Sequence, residues 1–544
     1  MAPLPMVQEK EEQVGRAIQI HWPLEWKSDL AMDPHYNWLF VGSLAGRRFV
    51  PRGPDFRGGR GSTSANGGVS YRILWHNNIG LGQMADISMV QEAKESQNAS
   101  KKGNGGRYRR RMKLSNNTHE QTSPPGAMAE RLPPAKTAES VTAGHPDKLC
   151  DSISDSILDA CLTIDPNARV AVETLVKGTK EKSYIVLAGE VTLAGEISDE
   201  EYESIARRAA SEIGYTDHSI GMDATNSETC EVTVLITTQS RFISQGVDGD
   251  MDSQGAGDQG IMFGYACKET EGTPGMDGRL FPLPAALAQR ICRRLDMIVA
   301  SGEIPWIRPD GKSQVTVEYD SEGNPSHVQT VVVAVQHDDA LKNRFGGDVD
   351  AEQEFVHEQV RKHVVEHAIP GNWISSGYKL IVNGTGRFAD PGGPYSDAGL
   401  TGRKIIVDTY GGGMHGGGAF SGKDPSKVDR TAAYHARWAA KHVVASGLAE
   451  RCEIQVSYAI GVPHPISLLA DTSGTGAIPD EELSHRLLKS FDWRPAAMIR
   501  DLDLKRPIYR KTASGGHFGR SPTSEGHFPW EQIHQDRIEA LHNS

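Results

Sequence analysis

HGGGAFSGKDPSKVDRTAAYHARWAAKHVVASG, residues 415–447, runs from a glycine-rich loop into an alanine-rich helical pattern that Pro425 opens and Gly447 closes. The loop half poses a question of chemistry. Gly417 and Gly422-Lys423 have the G-x-x-x-x-G-K spacing of a phosphate-binding P-loop, but Asp424 follows where Ser or Thr would hold magnesium. The HGGG run would suit the oxyanion hole of an α/β-hydrolase, yet the chain has no G-x-S-x-G nucleophile elbow. The helix half fits a chain that alternates short β-branched runs with helices. EVTVLITTQ (231–239), QTVVVAVQH (329–337), KIIVDTY (404–410) and EIQVSYAIGV (453–462) read as strands, and LPAALAQRICRRLDMIVASG (283–302) as a second helix ending in Gly. The organisation from about residue 137 onward is α/β or α+β.

A chain of 544 residues is long enough for several domains. Its net charge of −12 argues against a general nucleic-acid binder, so any phosphate-binding positive charge must be local. Six cysteines without a C-x-x-C pair favour reduced thiols and a cytoplasmic location, and no apolar run reaches membrane-span length. Residues 1–127 differ in kind. FRGGRGSTSANGG, SQNASKKGNGG and the basic RYRRRMK (107–113) bury little and predict a disordered extension, with Met128 a plausible alternative start. The basic run reads as a solvated tail; RNA or an acidic partner is the alternative.

Four clusters carry candidate chemistry. In ESVTAGHPDKLCDSISDSILDAC, from Glu139, Pro146 suits the first helical position and Asp147 the first turn. Asp147, Asp151, Asp155 and Asp159 repeat at four, which fits a solvated acidic face; His145 and Asp147 could instead hold phosphate and magnesium. SQGVDGDMDSQGAGDQGIMFGY, from Ser244, does not fit an EF-hand and reads as a lid before a tight turn. PWIRPDGKSQVTVEY, from Pro305, places Asp310 and Lys312 in a turn feeding a strand, where an ordinary polar hairpin tip is the plainer reading. Residues 386–430 gather Arg387, Arg403, Lys404, Lys423, Lys427 and Arg430 with Asp397 and Asp429 among glycines, a composition suited to a polyphosphate and its metals.

GHPDK (144–148), GAGDQG (255–260) and GGGAFSGKD (416–424) together resemble S-adenosylmethionine synthetase, the methionine adenosyltransferase family. The likeness runs from about Glu139 to Arg520 and resumes at HFPWE (527–531). It implies three similar α/β subdomains in a pseudo-threefold arrangement, expected at 136–247, 256–390 and 391–535. It also implies a homodimer, or a dimer of dimers, with active sites between subunits. By the same resemblance His145, Asp310, Gly311, Lys312, Arg387, Phe388, Asp397, Arg403, Lys404, Ala419 and Lys423 meet ATP. Among these, His145, Lys312, Arg403 and Lys423 carry catalysis. Glu190, Gln245, Asp397 and Lys427 meet L-methionine. Asp147 and Asp429 bind Mg2+, two ions per site, Glu173 serves K+, and Asp258 reaches the partner's site. The implied reaction is attack of methionine sulfur on C5′ of ATP, with tripolyphosphate released and hydrolysed. A neutral thioether needs no base, which accounts for the missing nucleophile–base pair. Ala143 stands where the family often has Glu, Gln289 where it usually has His, and SPTSEG (521–526) is an insertion. Rival classes are a nucleotide-binding regulator without turnover and an RNA-binding enzyme using the basic tail.

Overall fold

Pro146 starts α1 (Pro146–Ile164) and His145 caps it, its side chain accepting the Asp147 amide. The apolar stripe Leu149, Ile153 and Ile157 is fully buried against a sheet. The computed structural model describes residues 134–238 and 254–544, together with four two-residue strands before them. The chain divides into two units, Met1–Ser123 and Pro124–Ser544. In the first, Ser43–Leu44 pairs with Arg47–Arg48 and Ser62–Thr63 with Val69–Ser70, both antiparallel. The remainder of 1–127, and with it the expected disordered extension, lies outside the described residues, as does Gln245.

The second unit holds three sheets of three or four strands, each covered by one long helix. Strands β2 (Arg169–Gly178) and β3 (Ser183–Thr192) form an antiparallel pair, β4 (Cys230–Thr237) adds parallel to β3, and α1 packs on this sheet. The pattern repeats with β6 (Ile307–Tyr319), β7 (Pro325–His337) and the parallel β8 (Ile374–Val382) under α3 (Leu283–Ser301). It appears a third time, without the parallel strand, in β10 (Arg451–Tyr458) and β11 (Ser467–Asp471) under α5 (Val428–Ala445). The fold is therefore mixed α/β with three similar subdomains.

Each sheet is completed by a strand from elsewhere in the chain. β1 (Ala135–Val141) joins β6, β5 (Gly260–Cys267) joins β10, and β9 (Gly399–Leu400) joins β2, all antiparallel. The strand that precedes each long helix thus lies in a different sheet from the one its helix covers. This exchange is cyclic and ties the three units together.

Local sequence accounts for most helix ends. Ser198 and Glu201 make a reciprocal capping box for α2 (Asp199–Ile213), and Gly214 ends it in the left-handed conformation. Helix α5 starts at Val428 rather than Pro425, because Pro425 and Ser426 sit in the turn that Asp424 closes on the Lys427 and Ser426 amides. The expected strand KIIVDTY is instead a single helical turn, α4 (Ile405–Asp408). There the Thr409 hydroxyl donates to the Ile405 carbonyl at 2.8 Å and the Asp408 carboxylate reaches buried Lys148, partners a strand would not meet. Asp310 and Lys312 lie inside β6, at a bulge where the register jumps from Ile307↔His337 to Gly311↔Val335, not in a hairpin tip. All six cysteines are buried and unpaired. Among the described residues no helix is long and apolar enough to cross a membrane.

Candidate active site

The bulge in β6 is the seat for the GHPDK loop. Thr142 donates its amide to the Gly311 carbonyl at 3.0 Å and its hydroxyl to the Pro309 carbonyl at 2.7 Å. Gly144 passes so close that a Cβ there would stand 2.3 Å from the Pro309 Cβ, so no side chain fits. His145 is thereby held beside Asp310 and Lys312. Its Nδ1 accepts the Asp147 amide at 3.2 Å, and burial, reinforced by the charges of Lys404 and Lys312, pushes the imidazole down to about 3. The neutral ring therefore carries its proton on Nε2.

Asp147 is nearly inaccessible, and one oxygen accepts the Leu400 amide at 2.9 Å while the other takes Lys404 Nζ at 2.6 Å. Burial works to raise its carboxyl, but the Lys404 and Leu400 hydrogen bonds prevail and hold it below the ordinary range. Arg403, half exposed, has Nε 3.6 Å from the same carboxylate. Burial lifts the Asp310 carboxyl to about 7 against the pull of Lys312, with the Asp397 charge adding to the rise; its Oδ1 has no partner. His145, Asp147, Asp310, Gly311, Lys312, Asp397, Arg403 and Lys404 thus form one group.

A second group lies further along β2, the strand that Gly399 and Leu400 pair with. The free edge of β2 is covered first by 399–401, with Thr401 donating its amide to the Thr174 carbonyl, and then by 422–424, with Ala171 bridged to Lys423. Thr174 and Ala171 are three residue steps apart on the strand, about 10 Å at about 3.3 Å per step. Lys423 Nζ is 2.6 Å from Asp429, and Lys427 Nζ is 2.5 Å from buried Asp424. Glu190 on β3 is the ladder partner of Ala171, which puts it one strand away from Lys423. Exposed Asp258 lies between Gly257 and Gly260, whose added Cβ atoms would stand 2.8 Å from the Ser426 carbonyl and 3.2 Å from Asp429 of the same chain. The two groups abut, since a Cβ on Gly402 would come within 2.8 Å of the Ala419 Cβ.

Three residues stand apart. Arg387 is occupied by Glu352, at 2.6 and 3.0 Å, and by Asp339 at 2.8 Å. The Phe388 carbonyl accepts from His337, and Glu173 is exposed on the outer face of β2. Arg430 is not part of the cationic surface either. It is fully buried in a two-pronged pair with Asp155, at 2.8 and 2.8 Å. The aspartates of α1 form no solvated face, because Asp147, Asp151 and Asp155 are at most 1% exposed. Sequence reasoning missed Lys148 and Asp408, which pair with one another beneath the site, Lys148 also holding Asp151. The four-residue repeat of aspartates was the available signal, since it set them on the face that carries the site. Gln289 donates to the Phe518 carbonyl at 3.2 Å, anchoring the stretch Gly516-His517-Phe518 in the interior.

Two cationic loops with acids at two helix starts, set along one strand edge of an α/β fold, are an arrangement that could hold a polyanion with its counter-ions. Three family models match the chain in succession: the N-terminal domain of S-adenosylmethionine synthetase over 134–241, the central domain over 253–388 and the C-terminal domain over 391–532. Curated relatives include an S-adenosylmethionine synthase from Nocardioides sp., 51% identical over 417 residues that cover 74% of this chain and 97% of the relative. Proteins of the same description from Roseiflexus castenholzii (51% identical; 74% and 95% covered) and Myxococcus xanthus (50%; 75% and 94%) are similar to it as well. The chain belongs to the S-adenosylmethionine synthetase family. It is a transferase of the methionine adenosyltransferase type.

Proposed function

We propose that the strand-edge site joins the sulfur of L-methionine to C5′ of ATP, with the two cationic loops holding the leaving tripolyphosphate. One observation carries this reading: Arg403–Lys404 and Lys423 lie on adjoining loops over a single edge of β2. The S–C5′ bond forms as the C5′–O bond breaks, and the bonding pair leaves with the tripolyphosphate. No proton has to move, so the protein's contribution is position and charge. Lys312, Arg403, Lys404 and Lys423 meet the phosphate oxygens, and the Nε2–H of neutral His145 donates to one of them. Asp310, Gly311, Arg387, Phe388 and Ala419 complete the nucleotide site, Arg387 exchanging an acidic partner to do so. Glu190, Gln245 and Lys427 take the methionine, with Asp397 between the two substrates. Water then cleaves a P–O–P bond of the tripolyphosphate, giving phosphate and diphosphate.

The donor set suits the implied ions. Among the described residues no three His, Cys, Asp or Glu side chains gather as a ready-made metal cage. Asp147 and Asp429 each offer one carboxylate that already holds an ammonium group at 2.6 Å. One carboxylate per ion, with phosphates and water for the rest, is the usual provision for Mg2+. These two residues would hold the two Mg2+ ions, which supply neutralisation of phosphate charge, and Glu173 would hold K+.

A homodimer is supported by exposed apolar residues on the open faces of two sheets, Leu175 and Leu235 on one, Ile261 and Leu469 on the other. Asp258 would reach across it. Six buried thiols favour a reducing, cytoplasmic setting. The test is product formation from ATP and L-methionine, with one phosphate and one diphosphate per S-adenosylmethionine. Nucleotide binding without methionine-dependent turnover would refute the reading.

A further inference from the structure

The aspartates of α1 recur every four residues, and every one of them accepts a backbone amide from a loop far away in sequence. Asp147 takes the Leu400 amide, Asp151 that of Gly402 at 2.8 Å, Asp155 that of Gly422 at 2.9 Å, and Asp159 those of Tyr509 and Arg510, both at 2.9 Å. Asp151 and Asp155 touch neither cationic loop's side chains. They hold the amide of the residue directly before Arg403 and that of the residue directly before Lys423. Each carboxylate is itself fixed from behind. Lys148, with no exposure, lies 2.9 Å from Asp151 and bonds Asp408 on its other side. Arg430 forks onto Asp155 and also donates to the Phe420 and Lys423 carbonyls, at 3.0 and 3.2 Å, so the Lys423 loop is pinned by amide and carbonyl alike.

We infer that Asp151 and Asp155 are positioning residues, which use one rigid helix to set the spacing between the Arg403–Lys404 loop and the Lys423 loop. Four residues of α-helix rise about 6 Å, and this interval is fixed by the helix backbone. Glycines leave both loops few side chains to brace them, and their backbones are held between α1 on one side and the edge of β2, at Thr174 and Ala171, on the other. Gly422 adopts φ +79° with a Cβ position only 2.0 Å from the Val172 carbonyl, so the loop is a close-fitting backbone turn with no side-chain anchor of its own there. The consequence concerns rate more than binding. A polyanion is attracted by both loops at a range of spacings, whereas charge developing on one oxygen needs donors at one distance, and a displacement of about 1 Å costs on the order of a hundredfold.

This inference rests on the proposed reaction for its kinetic part but not for its structural part, and the experiment separates the two. Hydrogen–deuterium exchange and single-turnover rates are compared for wild type, Asp151→Ala and Asp151→Asn, each as the full chain. Asp151→Ala is expected to speed amide exchange in 399–404 while leaving 420–424 unchanged. Its rate at saturating ATP and L-methionine should fall about a hundredfold, with the KM for ATP changed less than about threefold. Asp151→Asn has one oxygen for two donors, the Gly402 amide and Lys148, and should restore exchange and rate together but only in part. Should Asp151→Ala not fold, Asp151→Ser takes its place, its hydroxyl too short to reach that amide. Unchanged exchange at 399–404 overturns the pegging, whatever the chemistry of the enzyme. Faster exchange with an undiminished rate overturns the role in spacing, as does a rate lost in Asp151→Asn without faster exchange at 399–404. A wild-type chain that makes no S-adenosylmethionine refutes the proposed reaction and leaves the exchange arm to decide the pegging.

Discussion

Replacing Lys423 with alanine separates two energies of different size. In the folded protein its Nζ is 2.6 Å from Asp429, with the two side chains 28% and 24% exposed. A pair that wet contributes about 1 kcal/mol or less to stability after solvent screening. Its backbone, by contrast, is kept by groups the substitution leaves alone: the bridge to Ala171, and the Arg430 contact on the Lys423 carbonyl. Lys423→Ala should therefore stay folded, with a small shift in Tm. If Lys423 faces charge that grows as the C5′–O bond breaks, the same change removes about 3 kcal/mol from the transition state, roughly a hundredfold in rate. The assay is single-turnover formation of S-adenosylmethionine at saturating ATP and L-methionine, beside an independent measurement of nucleotide affinity and a melting curve. A near-normal rate with weakened ATP binding would refute the reasoning, for Lys423 would then hold only the ground state. Loss of fold would refute the stability half.

Glu190→Gln should raise the KM for methionine about tenfold or more with little change for ATP, since a charge-assisted contact to the ammonium group is lost; equal KM values in variant and wild type would contradict it. Asp147→Asn and Asp429→Asn should each raise the Mg2+ concentration needed for half-maximal activity, read by metal titration, and an unchanged titration for both would count against the metal assignment. The His145 imidazole, held near 3 when folded against about 6.5 when unfolded, leaves the unfolded chain binding the extra proton between those values. Wild type should therefore lose stability relative to His145→Asn as pH falls from about 6.5 toward 4, by up to about 1.4 kcal/mol per pH unit. Denaturant melts of both proteins across that range measure the difference, and a flat difference means that the buried ring is not kept neutral.

Much of the site could be read from local sequence, because its signals are local. Pro146 after His145 marks a helix start, Gly422-Lys423 before a helix marks a close-approach loop with a cation, and α/β alternation follows from residue periodicity. Three motifs far apart in the chain named a family because their joint order is specific. What decided the employment of each charge was burial and partner, and those are properties of tertiary contact. KIIVDTY has the composition of a strand but lies where Asp408 meets Lys148, and a helical turn makes that contact. Arg430 and Arg403 are indistinguishable in a list of basic residues; one is sealed against Asp155 and the other is half exposed. Arg387 has its fork filled by Glu352 and Asp339, more than thirty positions upstream. The aspartates of α1 have the spacing of a solvated face, and that spacing alone cannot tell water from a loop 250 residues away. The cyclic exchange of edge strands brought those loops to the helix, since pairing between distant strands is chosen by the packing of the whole unit rather than by any one stretch of chain.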